Sequence, residues 1–203
     1  MTMNVAFKEG ILNILKLFYA DQDAPSIHLR EIARRTKLNE NSVSRFLKVM
    51  EKGGLIKSTF DGNLKKFSME KRSIPPVFEI FDRERYEALP AIRRNAVQHF
   101  FERLPEKPLA MTLFGSTAKQ NYTETSDVDL LLVTNSKIAT DDARDYAESQ
   151  TGIRINDLQI RLDEFKQELR LKRDAVIQSA VKTGYPVFNS QFYHEVKYGN
   201  ESA

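Results

Sequence analysis

The chain has no cysteine among its 203 residues. Disulfides, zinc–thiolate centres and cysteine nucleophiles are therefore excluded. Long apolar runs are also missing, and none approaches the ~18 residues needed to cross a bilayer. The opening MTMNVAFKEG shows no basic stretch followed by an apolar one, so no secretory signal is read there. The expectation is a cytoplasmic protein without a membrane partner. His28, His99 and His194 stand in separate segments, so no histidine-centred metal or nucleophile arrangement is expected. There is no internal repeat, no low-complexity tract and no Walker-type loop. What remains is 41% hydrophobic and 29% charged residues, enough apolar material for one large or two small cores.

Charge is unevenly distributed. Residues 1–72 carry 14 Lys and Arg against 8 Asp and Glu, and the remainder carries 17 against 20. A basic first third suggests a nucleic-acid-binding module joined to something else.

The first third has a clear pattern. Phe7, Ile11, Ile14, Leu15 and Phe18 recur at helical spacing. Asp21 to Ser26, with Pro25, reads as a turn. Leu29 to Thr36 predicts a short helix with Ile32 and Ala33 inward. Asn39 can cap a third helix over about Glu40 to Lys52, which would bury Val43, Leu47 and Met50 and end at Gly53-Gly54. Two strand-like runs, Leu55 to Phe60 and Leu64 to Met69, flank Asp61-Gly62-Asn63, a strong hairpin signal. This order resembles the winged helix-turn-helix domain. The resemblance implies binding to double-stranded DNA. Asn41, Ser42, Ser44, Arg45 and Lys48 would face the duplex from the recognition helix, and Lys57, Lys65 and Lys66 would contact phosphates from the wing. The alternatives are a solvated surface or a domain that mediates protein contacts, a homodimer included.

Lys71-Arg72-Ser73-Ile74-Pro75-Pro76 breaks the pattern and reads as an extended, stiff boundary. Val77 to Ala88 and Pro90 to Arg103 look helical. Ile92, Ala96, Val97, Phe100, Phe101 and Leu104 form the apolar stripe of the second. Asp141 to Gln150 predicts a helix, and Glu164 to Lys182 a single long one with Leu169, Val176, Ile177 and Ala180 inward. The tail, Thr183 to Tyr198, opens with Gly184-Tyr185-Pro186-Val187-Phe188, which resembles the glycine-plus-aliphatic strand that closes small α/β domains, and Phe192, Tyr193 and Tyr198 read as core or dimer contacts.

The most informative stretch is MTLFGSTAKQNYTETSDVDLLLV, Met111 to Val133. Two apolar runs read as buried strands. Between them stand Gly115-Ser116 and a polar loop that ends at Ser126-Asp127. Strand alternation sends Asp127 and Asp129 the same way. Two such carboxylates repel unless a cation lies between them, and a hard divalent ion such as Mg²⁺ suits oxygen ligands. Gly115 allows close backbone approach, and Ser116 adds a hydroxyl where a helix would start, a place suited to phosphate.

G-S-x-A followed by S-D-x-D and aliphatics resembles the signature of the DNA polymerase beta-type nucleotidyltransferases in their minimal form. The resemblance implies that Gly115 and Ser116, with Lys119 and Ser126, hold the phosphates of an NTP, ATP foremost. It implies that Asp127 and Asp129 hold Mg²⁺. Where many members have A-R-G, this chain has Ala118-Lys119-Gln120, which loses the Arg fork and a glycine. Active members use a third carboxylate on a neighbouring strand. Asp157, in the strand-like Ile153 to Leu162, is the candidate third ligand and general base, the alternative being a solvent-facing residue at a strand start. Asp163 and Glu164 read as N-terminal acids of the next helix.

The expectation is an α+β protein: a winged helix-turn-helix at 1–72, a helical connector at 73–105, and an α/β nucleotidyltransferase domain with a small mixed sheet at 106–203. Two functions follow. One is Mg²⁺-dependent transfer of a nucleotidyl group from NTP to an acceptor hydroxyl, with a protein acceptor such as a toxin in an antitoxin-like autoregulator as an example. The other is a DNA-binding regulator whose nucleotidyltransferase fold senses NTP or scaffolds a dimer.

Overall fold

The structure is a computed structural model that describes residues 9–21 and 26–199. Phe7 and Pro25, assigned above to a helix stripe and a turn, lie outside these residues. The chain forms two compact units, 1–81 and 82–203.

The first unit holds helices α1 (Glu9–Ala20), α2 (Leu29–Thr36) and α3 (Glu40–Lys52), with strands β1 (Ile27–His28), β2 (Ile56–Asp61) and β3 (Leu64–Met69). Ile11, Ile14, Leu15 and Phe18 of α1 meet Ile32 and Ala33 of α2 and Val43, Leu47 and Met50 of α3 in the buried interior. Asn39 caps α3 by accepting from the Ser42 amide at 2.8 Å. Gly54, at φ 69°, turns the chain into β2. Gly62, at φ 58°, makes the hairpin turn, and β2 and β3 pair antiparallel from Ile56↔Met69 to Asp61↔Leu64. The short β1, unmarked by any periodicity, adds a third strand beside β3.

Pro75 and Pro76 do not form an extended link. They occupy the first turn of α4 (Ile74–Glu87), where a missing amide N–H costs nothing. A single 3-10 turn at Lys71–Ser73 leads into it.

The second unit adds α5 (Ala91–Arg103), β4 (Ala110–Phe114), α6 (Gly115–Lys119), β5 (Val128–Thr134), α7 (Asp141–Thr151), β6 (Ile155–Arg161), α8 (Leu162–Leu171), α9 (Ala175–Thr183), β7 (Tyr185–Phe188) and α10 (Ser190–Gly199). Its sheet is mixed, in the order β6-β5-β4-β7. β4 is antiparallel to β5 and β7, and β5 is parallel to β6. One sheet face, with Leu113, Val128, Leu130 and Leu132, packs with α5 and α7. The other, with Phe114, Leu131 and Val133, packs on α8, α9 and α10 through Phe165, Ile177, Ala180 and Tyr193. Burial raises the phenol pKa of both Tyr185 and Tyr193.

Two expectations are corrected here. The long helix from Glu164 is two helices. Lys172 adopts φ 51°, and Asp174 caps α9 by accepting from the amides of Val176 and Ile177 at 2.8 and 3.0 Å. The expected closing strand is present as β7, and the helix after it buries Tyr193 against the sheet, the core role expected of the tail aromatics. The expected stripe of α5 holds at Ala96, Val97, Phe100 and Leu104, which are buried, and fails at its first member. Ile92 is 47% exposed, while Arg93 is 2% exposed.

Candidate functional site

The site is built where β4 ends and β5 begins. Phe114 pairs with Asp129 across these strands, and the chain turns directly from Phe114 into Gly115. Gly115 has φ 68°, and a Cβ placed on it would stand 2.0 Å from Asp129 Oδ2. The glycine is required twice, by its backbone angle and by the carboxylate lying against it. α6 follows and closes at Gln120, which takes φ 57°, the left-handed conformation a glycine adopts without strain.

Val128 is fully buried among the apolar residues under α5 and α7. Alternation within β5 sends Asp129 to the opposite face, and Asp127 stands one residue before the strand. The parallel register sets Asn156 of β6 beside Asp129, and Asn156 Nδ2 donates to Asp129 Oδ1 at 3.0 Å. One oxygen of Asp129 therefore meets an amide and the other meets Gly115.

Asp157 is not part of this group. It is in register with Leu130, so it lies on the other sheet face. Its side chain is 2% exposed, and Arg144 Nη1 of α7 lies 3.4 Å from its Oδ1. Gln159 Nε2 donates to its Oδ2 at 3.4 Å. Gln159 also clasps both the amide and the carbonyl of Ile138, each at 2.9 Å. Asp157 and Gln159 line a groove of about 830 Å³ that reaches Thr134, at the far end of β5 from Asp129. The expected roles of Asp157 as metal ligand and general base are corrected: a side chain facing α7 cannot reach an ion on the Asp129 face. Among the described residues, no group of three His, Asp or Glu could hold a metal ion.

The residues fit a hard cation in part. Gly115 makes a cradle that a Cβ would fill, and Asp127 and Asp129 supply oxygen ligands of the type Mg²⁺ takes. The third neighbour supplies an amide in place of a carboxylate. Ser116 is half-buried at the start of α6, and Lys119 is exposed at its end. Ser126 is engaged within the loop, where its Oγ accepts from the Thr123 amide at 2.9 Å.

Arg93 holds that loop in place. Its Nη1 donates to Thr117 Oγ1 at 2.9 Å and to the Ser126 carbonyl at 3.1 Å, and its Nη2 donates to the Thr123 carbonyl at 2.8 Å. Its guanidinium also lies over the Tyr122 ring, 4.0 Å from the centroid. The periodicity of α5 carried a signal for it: Arg93 stands three, four and seven residues before Ala96, Val97 and Phe100, all buried.

In the first unit, Asn41, Arg45 and Lys48 are exposed on α3, and Ser42 and Ser44 are half-buried. Arg45 Nη2 donates to Ser42 Oγ at 3.4 Å. The wing lysines all have acidic partners: Lys57 lies 3.7 Å from Glu70, Lys65 3.2 Å from Glu51 and Lys66 2.6 Å from Asp61. A hydrogen bond from Ser58, and then Lys65, hold the Glu51 carboxyl below its ordinary value. Lys66 does the same to Asp61. Apolar side chains flank the polar hairpin turn, with Phe60 73% and Leu64 56% exposed.

Comparison with known proteins agrees with both halves. Residues 95–191 match the polymerase beta nucleotidyltransferase family, and residues 8–57 match the winged helix-turn-helix DNA-binding family. No curated protein matches the chain. One similar solved structure is the homodimeric winged helix-turn-helix DNA-binding domain (fragment 1–100) of Mb0332 from Mycobacterium bovis, described as a possible ArsR-family transcriptional regulator. It is 19% identical, covers 44% of this chain and 79% of its own, and has a TM-score of 0.37. The mixed sheet, the Gly115 turn and the hairpin-bearing helical module thus have a family on each side: this chain carries a winged helix-turn-helix DNA-binding domain followed by a nucleotidyltransferase domain of the polymerase beta type.

Proposed function

We propose that this protein is a DNA-binding regulator whose nucleotidyltransferase-type domain binds a nucleoside triphosphate together with Mg²⁺. The observation that carries the nucleotide half is the packing of Gly115 on the Asp129 carboxylate. It brings a backbone open to phosphate against a ligand for the ion that travels with phosphate. Asp127 and Asp129 would hold Mg²⁺, and Gly115 and Ser116 would hold the phosphates, with Lys119 close by in sequence. Such an ion neutralises phosphate charge and polarises its oxygens. Arg93 keeps the loop before Asp127 in its bonded shape. For the DNA half, Arg45 and Lys48 present exposed cations on α3, beside Asn41, Ser42 and Ser44. Lys57, Lys65 and Lys66 would exchange their carboxylate partners for phosphates. Exposed pairs of this kind contribute only about 0–1 kcal/mol, so the exchange is cheap.

The second reading is nucleotidyl transfer to an acceptor hydroxyl, a toxin side chain in an antitoxin-like pair being one example. The match of residues 95–191 to a transferase family favours it. Asn156 beside Asp129 favours the first, because an amide cannot take a proton from an attacking hydroxyl.

One experiment separates them. The full chain is incubated with labelled ATP, Mg²⁺ and lysate, and its duplex affinity is measured with and without the nucleotide. The regulator reading expects saturable ATP binding that Asp129→Asn removes, a nucleotide-dependent change in duplex affinity, and no labelled macromolecule. A labelled product that disappears in Asp129→Asn establishes transfer. Absence of ATP binding defeats both readings.

A further inference from the structure

We infer that Asn156 limits this site to a single divalent ion. The inference rests on the reading of Asp127 and Asp129 as ion ligands and extends it to the number of ions held.

The argument begins with charge. Asp127 and Asp129 together bring two negative charges, which one divalent cation neutralises. A bound triphosphate can share that ion, so a second ion would have to be held by further protein oxygens beside Asp129, where a third acid would supply them. The strand neighbour in register with Asp129 is Asn156, which is neutral. Its amide is also oriented the wrong way for a ligand to a shared ion. Nδ2 donates to Asp129 Oδ1 at 3.0 Å, so the contact is already a completed donor–acceptor pair. The other oxygen of Asp129 is backed by Gly115. The nearest acid on β6, Asp157, is committed to the opposite face beside Arg144. Arg93 adds a fixed positive charge next to the loop, through its bond to the Ser126 carbonyl one residue before Asp127. Each of these features opposes the gathering of a second cation, and a bound triphosphate is left to bring the remaining negative charge.

Asn156→Asp is the informative change. It keeps the shape of the side chain and replaces the donated N–H by an oxygen. Two carboxylates then face each other where an amide now bridges, which destabilises the ion-free chain and creates a set of three acids. The ions are counted by Mn²⁺ titration, followed by electron paramagnetic resonance, on the full chain saturated with an ATP analogue carrying a methylene between the α- and β-phosphates. We expect one Mn²⁺ per chain in the wild type and in Asn156→Ala, and two in Asn156→Asp. In chelator, Asn156→Asp should melt below wild type, and Mn²⁺ should raise its melting temperature more than it raises that of the wild type. Two ions in the wild type overturn the inference, and so does a single ion in a folded Asn156→Asp. The wild-type count decides the matter even if Asn156→Asp does not fold. No ion in any chain, with the analogue still bound, overturns the ion-ligand reading itself and the inference with it.

Discussion

Charged side chains are used in opposite ways in the two units. In the winged helix they lie at the surface in pairs such as Lys65–Glu51, Lys66–Asp61 and Arg34–Glu31, open to water and to exchange. In the nucleotidyltransferase domain the important ones are buried and fixed. Arg93 is locked onto a loop, Asp157 faces Arg144, and His194 Nε2 lies 2.6 Å from Asp82 Oδ2, which also accepts from Ser190 Oγ at 2.5 Å. Water screens the first kind, so partners can be traded for a fraction of a kcal/mol. The second kind has no solvent to fall back on, so removing one member leaves buried polar groups unsatisfied. A surface that must accept phosphates suits loose pairs, and a site that must be shaped in advance suits locked ones.

The contrast can be broken by mutation, and the largest effect is expected at Arg93. Arg93→Ala leaves the carbonyls of Thr123 and Ser126 without their donor, and should cost on the order of 3 kcal/mol in urea unfolding. It should also weaken nucleotide binding. A cost like that of a surface pair would erase the distinction. Gly115→Ala comes next. The strain of a positive φ is about 1–2 kcal/mol, and the new Cβ displaces the Asp129 carboxylate. We expect a lower melting temperature and loss of ATP binding, read by thermal shift with and without MgATP. Retained binding would show that the close approach is not needed.

Smaller effects sharpen the other side. Arg45→Ala combined with Lys65→Ala should reduce the slope of log K against log salt by about 2, since each phosphate contact contributes about 0.9. An unchanged slope removes these residues from the DNA face. The smallest effect belongs to Glu51→Gln, which should alter stability by less than about 1 kcal/mol while raising duplex affinity by freeing Lys65. Acid should act in the same direction. The carboxyl pKa values of Glu51 and Asp61 are depressed in the folded state, so their stabilising pairs are complete above the ordinary carboxylate range. The pairs are lost as pH falls through the depressed values. Salt titrations of duplex binding at neutral pH and below the carboxylate range should show the lysines released.

The helical module was legible nearly residue by residue, because its signals are local. Asn39 caps, Gly62 turns, and Val43, Leu47 and Met50 keep one helical face. The Gly115 turn was legible for the same reason. What the sequence concealed depends on partners far along the chain. Leu158 and Ile160 alternate along β6 in the manner of a buried face, yet β6 is an edge strand and Leu158 is exposed. Ile155 is buried on the other face, and it takes Asp157 with it. In a strand, adjacent positions lie on opposite faces, so which residue of β6 stands beside Asp129 rested on pairing with β5. The break between α8 and α9 was hidden because Lys172 carries no glycine-like mark for its left-handed turn.

The grip of Arg93 has a consequence for how this segment can vary between relatives. Two of its three bonds go to main-chain carbonyls, which every amino acid possesses. The loop from Asn121 to Ser126 can therefore change much of its lettering without losing its path. Its length cannot change so freely, because one inserted or deleted residue shifts which carbonyls meet the guanidinium. Selection acting on this loop would count residues before it reads them.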